Sequence, residues 1–229
     1  MAQRSEITAR DLHGRNIMFG DHSHVNEGSS GGSEKALAKP ARKGKGKKIF
    51  VIHGRDAAAR DAVFEVLRAL GLKPQEWEHL VKATGSATPS LADVLDRAVK
   101  DAQAVVALLT PDDIVQLHPD LRSAGDSAAE QAAGCQPRPN VYLELGMALA
   151  VMRERTIILE AGTIRRSADL SGLNYVTIDE SIQWCNKLAQ RLENAGCPVD
   201  RSGTDWHEPR RFTGLAAYRR RCAAGTDAA

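Results

Sequence analysis

The chain has 229 residues, of which 42% are hydrophobic and only 4% aromatic, and its formal net charge is +2. This length accommodates one domain of about 150 residues with appendages, and the aliphatic content is sufficient for a hydrophobic core. No apolar run approaches the roughly 20 residues of a membrane span, and the N-terminus lacks the apolar stretch of a signal peptide. We therefore expect a cytoplasmic protein with no membrane partner.

Charged residues are distributed unevenly along the chain. Residues 35–48 contain seven Lys or Arg and no acidic residue, whereas residues 49–200 contain 15 basic and 21 acidic side chains. A domain that reads nucleic acid would present a basic face. The acidic balance of the central region therefore predicts that the core does not bind nucleic acid.

The four cysteines, Cys135, Cys185, Cys197 and Cys222, are scattered and form no CxxC pair. Without paired spacing, we expect reduced thiols rather than disulfides or zinc ligands.

Residues 1–47 are polar, rich in Gly and Ser, and end in a basic run. This composition predicts a flexible N-terminal segment and linker. Asp21, His22 and His24 are the cluster in this segment that most resembles a metal site, but no second cluster or packed scaffold supports it. We therefore expect no metal site.

Hydrophobic periodicity predicts regular elements from Lys48 onward. The first part is predicted to contain a strand at 49–53, a helix at Asp56–Leu70 ended by Gly71, a weaker strand at 73–78, a loop at 85–88, a helix opened by Thr88 and Pro89, and a central strand at Ala104–Leu109.

The second part begins with a long polar insertion at 111–137, which has room for one helical turn. It is followed by a helix with Asn140 as N-cap, a strand at 156–159, a strand at Tyr175–Ile178 and a last helix at 181–195.

Strands and helices thus alternate five times, which predicts a parallel sheet with helices on both faces. Right-handed crossovers favour a flavodoxin-like three-layer sandwich of strand order 2-1-3-4-5. In such sheets ligands bind at the carboxyl edge, where the loops 53–56, 83–88 and 138–140 are predicted to converge.

Glu144 is the candidate catalytic residue. It begins a helical row that continues with Met147, Ala148 and Val151, so it is the only polar member of that row. A carboxylate among apolar neighbours costs free energy unless it is hydrated or used. The alternative is an acid near the helix start that points to water and is favoured by the helix dipole. Because this helix starts at the predicted ligand-binding edge, we favour the functional interpretation.

The remaining residues at this edge suit a nucleotide. Arg55 and the helix N-termini can bind phosphate groups. A single carboxylate beside a sugar can accept ribose hydroxyls and stabilise an oxocarbenium-like centre. Thr110 stands where a phosphoacceptor receiver has Asp, and no GxGxxG follows the first strand, so both of those folds are excluded. His53 is interpreted as a hydrogen-bonding loop residue rather than a base.

Three segments, Ile49–Asp56 (IFVIHGRD), Val105–Asp113 (VVALLTPDD) and Arg138–Gly146 (RPNVYLELG), resemble the TIR-like domain of bacterial CBASS and Pycsar effectors. The resemblance continues through 169–172 and 202–206, and so covers 48–212 and leaves 213–229 as a basic C-terminal tail. It implies cleavage of NAD+, with NAD+ as substrate and no cofactor, and with Glu144 as the catalytic residue. It also implies self-assembly into an oligomer or filament, and a cyclic nucleotide or a protein as activator.

The predicted substrate-binding residues are His53, Gly54, Arg55, Asp56, Ser86 and Asn140. Two alternatives remain open. One is a nucleoside deoxyribosyltransferase-like enzyme, which shares the sheet and the N-glycosidic chemistry. The other is a non-catalytic TIR module that signals by self-assembly or nucleotide binding.

Overall fold

The computed structural model of the chain describes residues 46–167, 170 and 172–222. The strands are β1 (Lys48–His53), β2 (Lys73–Gln75), β3 (Ala104–Leu109), β4 (Asp113–Val115), β5 (Gly134–Gln136), β6 (Thr156–Ala161) and β7 (Tyr175–Ile178). The helices are α1 (Ala57–Ala69), α2 (Trp77–Thr84), α3 (Leu91–Asp101), α4 (Ala128–Gln131), α5 (Pro139–Met152) and α6 (Gln183–Asn194). The cluster at Asp21, His22 and His24 and the predicted linker up to residue 45 lie outside the described residues.

Five strands form one parallel sheet in the order β2-β1-β3-β6-β7. Since β6 and β7 are the fourth and fifth strands of this sheet along the chain, the predicted order 2-1-3-4-5 is confirmed. β3 occupies the centre, and all six of its residues are buried. A strand covered on both faces must be apolar throughout, which explains why AVVALL was recognisable from the sequence.

Alternate residues of the strands face two separate cores. Ile49 and Val51 pack in the core that α1 and α6 cover. Phe50 and Ile52 pack in the core that α2, α3 and α5 cover. The molecule is therefore the three-layer sandwich that the sequence predicted. Within the described ranges, no helix is long and apolar enough to cross a membrane.

The segment after β2 differs from the prediction. The second strand ends at Gln75 rather than at residue 78, and α2, which was not predicted, follows it at once. Gly85 ends α2 in the left-handed conformation (φ 73°), which glycine adopts without steric cost. The cap of α3 is Ser90 rather than Thr88, because Ser90 and Asp93 bond each other's backbone in a capping box.

The polar insertion contains more structure than the predicted helical turn. That turn is α4, but β4 and β5 also pair as a two-stranded antiparallel sheet, with Ile114 opposite Cys135. Strands of only three residues are too short to show a hydrophobic alternation, so the sequence did not reveal them.

Residues 212–222, which we call the strap, pack against the body of the domain. Phe212 and Ala217 are fully buried, and Leu215 is 8% exposed. The Phe212 ring makes a T-shaped contact with the ring of Trp184 in α6, with centroids 5.1 Å apart. Residues 213–222, which the sequence assigned to a basic tail, thus contribute apolar side chains to the core beneath α1 and α6.

The expectation that all four cysteines are reduced is wrong. Cys135 in β5 and Cys222 in the strap form a disulfide, with Cα atoms 4.9 Å apart. Cys185 and Cys197 are free and buried, and burial raises the pKa of each thiol to about 12. The fold brings together two cysteines that are 87 residues apart in the chain, which spacing alone cannot show. The cysteine content therefore no longer supports a reducing compartment.

Candidate active site at the carboxyl edge of the sheet

The strands β1, β3, β6 and β7 all end at the same edge of the sheet because they are parallel. The segments that leave this edge are 53–56 after β1, 110–113 after β3, and the residues that follow β6 and β7. α5 leads back into β6 from the insertion, so it begins at this edge as well. Open parallel sheets bind their ligands here.

The start of α5 is set by Arg138 and Pro139. Arg138 is the N-cap residue and Pro139 is the first helical residue, where its fixed φ and missing N–H are tolerated. The prediction of Asn140 as N-cap is therefore wrong. Asn140 lies exposed in the first turn, and its side chain has no hydrogen bond within the described part of the chain. The Arg138 guanidinium instead fixes the helix start by pairing with Asp113 at 3.1 Å.

Glu144 is half-buried in the second turn of α5. Its neighbour Leu145 is completely buried against the sheet, whereas Glu144 lies at the border between that core and solvent. Burial raises the pKa of the Glu144 carboxyl to about 7, and no charged neighbour contributes to the shift. Among the described residues, none forms a hydrogen bond or an ion pair with this carboxylate. It is thus an uncompensated acid that changes charge near neutral pH.

The outer face of α5 beside Glu144 is apolar and open. Leu143 is 54% exposed and Val151 is 59% exposed, and half-buried Met147 lies between them at helical spacing. Most helices of soluble domains direct such a row inward. Leu143 and Val151 are therefore largely uncovered by the described residues, whereas Met147 packs partly against the core beneath α2, α3 and α5.

The loop after β1 is held by a residue that the sequence did not single out. The Asp112 carboxylate, just after β3, accepts the backbone N–H of Arg55 at 3.3 Å and the Thr110 hydroxyl at 3.0 Å. It lies so close to Gly54 that a Cβ at that position would collide with it. Gly54 is thus required for the contact between the two loops, and the Arg55 side chain is left exposed.

The first residue of this loop, His53, is partly buried. Its Nδ1 lies 2.9 Å from the carbonyl oxygen of Gly54, and its ring makes a T-shaped contact with Phe64 of α1. His53 is therefore engaged locally at the end of β1.

Both carboxylate oxygens of Asp56 lie against a partner, but only Oδ1 accepts a hydrogen bond. Oδ1 caps α1 by accepting the backbone N–H of Ala59 at 3.0 Å, and Oδ2 lies 3.0 Å from the guanidinium of Arg220 in the strap. The Asp56 side chain is only 4% exposed. In this arrangement Asp56 has no oxygen that points freely into the cleft.

Ser86 lies in a loop between two helices, whereas the sequence predicted a loop between the second strand and a helix. Residues 85–90 join α2 to α3 rather than following the second strand, because α2 intervenes. Ser86 is exposed, and its Oγ accepts the backbone N–H of Thr88 at 3.3 Å. None of its hydrogen bonds reaches another predicted site residue.

Glu160 is a further carboxylate at this edge. It was not identified from the sequence as a site residue because the fourth strand was predicted to end at Leu159. Glu160 is buried, and Arg166 binds both of its oxygens, at 2.8 and 2.9 Å. The same guanidinium lies over the Tyr175 ring, 4.8 Å from its centroid. The pKa of the Tyr142 phenol on α5 is raised, mainly by burial and to a smaller extent by the nearby Tyr175 and Glu160. The sequence contained one signal for this ion pair: Glu160 stands at the end of a strand, and Arg165 and Arg166 follow it.

The structure therefore joins the β1 loop to the start of α5 through the segment after β3. Asp112 contacts Gly54 and Arg55, and Asp113 pairs with Arg138. No hydrogen bond ties Glu144, Ser86 or Asn140 to this network in the ranges that the structure describes.

Neither a metal site nor a closed pocket accompanies the predicted site residues in the described part of the chain. Within the described residues, no group of three or more His, Cys, Asp or Glu side chains is arranged to hold a metal ion. An open groove of about 460 Å³ lies between α1, β2 and α2, lined by residues that include Phe64, Arg68 and Lys82, but it contains no predicted site residue.

The strand order and the acid on the helix at the carboxyl edge define a TIR-like α/β domain. A family model confirms this: residues 48–180 match the TIR domain of the CAP12/Pycsar effector proteins, and the chain belongs to that family. The chain is also 28% identical over 169 residues to the uncharacterized protein YuaY of Escherichia coli (strain K12). This alignment covers 73% of the chain, and the chain spans about half the length of that relative (50%).

Proposed function

We propose that the protein is an NAD+ glycohydrolase of the bacterial anti-phage effector type, which releases nicotinamide and leaves ADP-ribose in linear or cyclic form. The observation that carries the proposal is Glu144: a half-buried carboxylate without a partner among the described residues, on a helix that starts at the carboxyl edge. Membership of the CAP12/Pycsar TIR family supports it.

Cleavage of NAD+ requires a negative charge beside C1′ of the ribose that carries nicotinamide. When the bond between ribose C1′ and the nicotinamide nitrogen breaks, C1′ becomes positively charged and nicotinamide leaves as a neutral molecule. The leaving group therefore needs no general acid. An ionised Glu144 carboxylate stabilises the developing cation. In hydrolysis a water oxygen then bonds to C1′ and the water loses a proton to solvent; in cyclisation an atom of the same molecule bonds to C1′ instead.

The remaining residues at the edge would bind the rest of the dinucleotide. Arg55 is exposed next to the Gly54–Asp112 contact and offers a guanidinium for the diphosphate. His53, Gly54, Asp56, Ser86 and Asn140 remain proposed contacts in the same role.

The test is product analysis after incubation of the purified chain with NAD+, with and without a panel of cyclic nucleotides as activators. A parallel reaction with a deoxynucleoside and a free base examines the deoxyribosyltransferase alternative. Release of nicotinamide in the first reaction supports the proposal. Base exchange in the second without NAD+ loss, or no product in either, contradicts it.

Self-association is the second part of the proposal. The row of Leu143, Met147 and Val151 lies beside Glu144 on the same helix, so a second copy that covers it would also exclude water from the carboxylate. Exclusion of water strengthens electrostatic stabilisation. We therefore expect the specific activity to rise with protein concentration.

Val151→Asp should abolish this rise, and Ile182→Asp is the matched control because Ile182 is an exposed aliphatic residue just before α6. Activity is measured over a hundredfold range of concentration together with light scattering. Constant specific activity from a monomeric wild-type protein would exclude an assembly requirement.

A further inference from the structure

The strap crosses the carboxyl edge from one side of the sheet to the other. Near its start, the Gly214 N–H donates to the Glu180 carboxylate, after β7, at 3.0 Å. Further along, the Ala217 carbonyl packs so closely on Gly162, after β6, that a Cβ there would collide with it.

Arg220 continues the path to the other two strands. Its guanidinium donates to the carbonyl of Pro111, after β3, at 3.2 Å and pairs with Asp56, after β1, at 3.0 Å. Successive residues of the strap thus contact the segments that follow β7, β6, β3 and β1. A ligand that enters a parallel sheet at this edge must pass the same segments.

The contact with Asp56 has a direct chemical consequence. Because Oδ1 caps α1 and Oδ2 lies 3.0 Å from the Arg220 guanidinium, the strap shields the carboxylate oxygen that makes no hydrogen bond and could accept one from a sugar hydroxyl. When Arg220 leaves, this oxygen becomes a free and charged acceptor beside the β1 loop.

The strap ends in a covalent attachment. Cys222 is bonded to Cys135 in β5, which lies just before the start of α5. Cys135 is 1% exposed, whereas Cys222 is only half-buried. The disulfide therefore holds the strap at its far end, and its accessible sulfur belongs to the strap.

We propose that the end of the strap, residues 219–222, is a latch that the Cys135–Cys222 disulfide keeps closed, and that reduction by a dithiol opens the carboxyl edge to NAD+ while Phe212, Leu215 and Ala217 stay packed in the core. This inference rests on the proposed function only for the identity of the ligand. The latch depends on two contacts. The disulfide holds the end of the strap in place, and Arg220 forms an ion pair with Asp56.

The reaction consumes two electrons. A thiolate of the dithiol attacks Sγ of Cys222, the more exposed sulfur, and Cys135 leaves as a thiolate that takes up a proton. The second thiol of the reductant then resolves the mixed disulfide, so that Cys222 also ends as a thiol and the reductant ends as a cyclic disulfide.

The experiment compares oxidised and dithiothreitol-treated full-length protein in two assays that need no turnover. Limited digestion with trypsin reports cleavage after Arg219, Arg220 and Arg221. Calorimetry with NAD+ on the Glu144→Gln variant gives the affinity. We expect trypsin to cleave the strap faster after reduction. We also expect the Kd for NAD+ to fall on the order of tenfold, as it would if the strap closed the site in about nine of ten oxidised molecules.

Two variants separate the contacts. Cys222→Ser should bind NAD+ as the reduced protein does and should not respond to dithiothreitol. Arg220→Gln should tighten binding without reductant, whereas Arg219→Gln should not, because the Arg219 side chain bonds only Gly214, within the strap, in the part of the chain that the structure describes.

The outcomes separate this inference from the proposed function. If reduction opens the strap and lowers the Kd while wild-type protein cleaves no NAD+, the latch stands and the glycohydrolase proposal fails. If the strap stays resistant to trypsin, or if it opens while NAD+ affinity remains unchanged or undetectable, the latch is wrong, whatever the cleavage assay shows.

Discussion

Glu144 and Glu160 both lie at the carboxyl edge of this sheet, and their surroundings differ. Glu160, at the end of β6, has a side chain that is 8% exposed, and Arg166 binds both of its oxygens. Glu144, on α5, is half-buried and has no ion pair or hydrogen bond in the described part of the chain. The free-energy cost of burying the Glu160 carboxylate is offset by the Arg166 guanidinium, whereas the cost of burying Glu144 is not offset by a charged partner.

The difference shows how a structural acid is distinguished from a candidate catalytic one. Burial alone would rank Glu160 first, because it is the more deeply buried of the two. Its charge is neutralised, however, so it cannot also stabilise a cationic substrate. Glu144 keeps an unshared charge above pH 7, as stabilisation of an oxocarbenium centre requires.

Glu144→Gln should have the largest effect that distinguishes the two sites. Removal of the main charge-stabilising group should lower the rate of NAD+ cleavage by about 10²-fold or more. Glu160→Gln should leave the rate close to that of the wild type. Glu154→Gln, at an exposed acid just beyond α5, is the control. Equal losses at Glu144 and Glu160, measured as nicotinamide release, would remove the distinction between them.

Arg166→Met should affect stability rather than chemistry, because it leaves Glu160 buried and unpaired. We expect the free energy of unfolding to fall by about 2 kcal/mol, less than for a fully buried pair because the Arg166 side chain is 49% exposed. Urea unfolding measures this. Arg165→Met is the matched control, since among the described residues the Arg165 guanidinium donates only to a backbone carbonyl, that of Glu130. If both variants were equally stable, the Glu160–Arg166 pair would contribute nothing specific.

Glu144→Gln should have the opposite effect on stability at high pH. The folded pKa of Glu144, about 7, lies above its ordinary value of 4.5, so the folded state binds more protons between these pH values. Wild-type stability therefore falls as pH rises through this window. The variant should be more stable than the wild type by on the order of 2 kcal/mol at pH 8 and nearly equal to it at pH 4.5. Urea unfolding at both pH values measures this, and a variant that is less stable at pH 8 would show that the carboxylate has a partner.

The sheet could be predicted because its signals are local. Continuous apolar runs such as Ala104–Leu109 mark strands that are buried on both faces, and their alternation with amphipathic helices predicts the strand order. α2 was missed because a strand was extended across its start, and β4 and β5 were missed because each has only three residues.

The candidate site was predictable only in part, because its contacts join distant segments. Glu144 could be identified by its place in an apolar helical row. The contact of Asp112 with Gly54, the pairing of Arg220 with Asp56 and the disulfide between Cys135 and Cys222 each depend on tertiary structure. Pro139 displaced the expected cap at Asn140, since proline is favoured at the first helical position.

The pH dependence of kcat/KM for NAD+ tests most directly whether an ionised, unpartnered Glu144 carries the reaction. This ratio reports the ionisation of free enzyme and free substrate, and NAD+ has no group that titrates near pH 7. Since the carboxylate is the active form, kcat/KM should rise about tenfold per pH unit below an apparent pKa of about 7 and level off above it. A ratio that stays at its maximum down to pH 5.5 would contradict this account, because Glu144 would then be ionised at its ordinary pKa or would play no part in the chemistry.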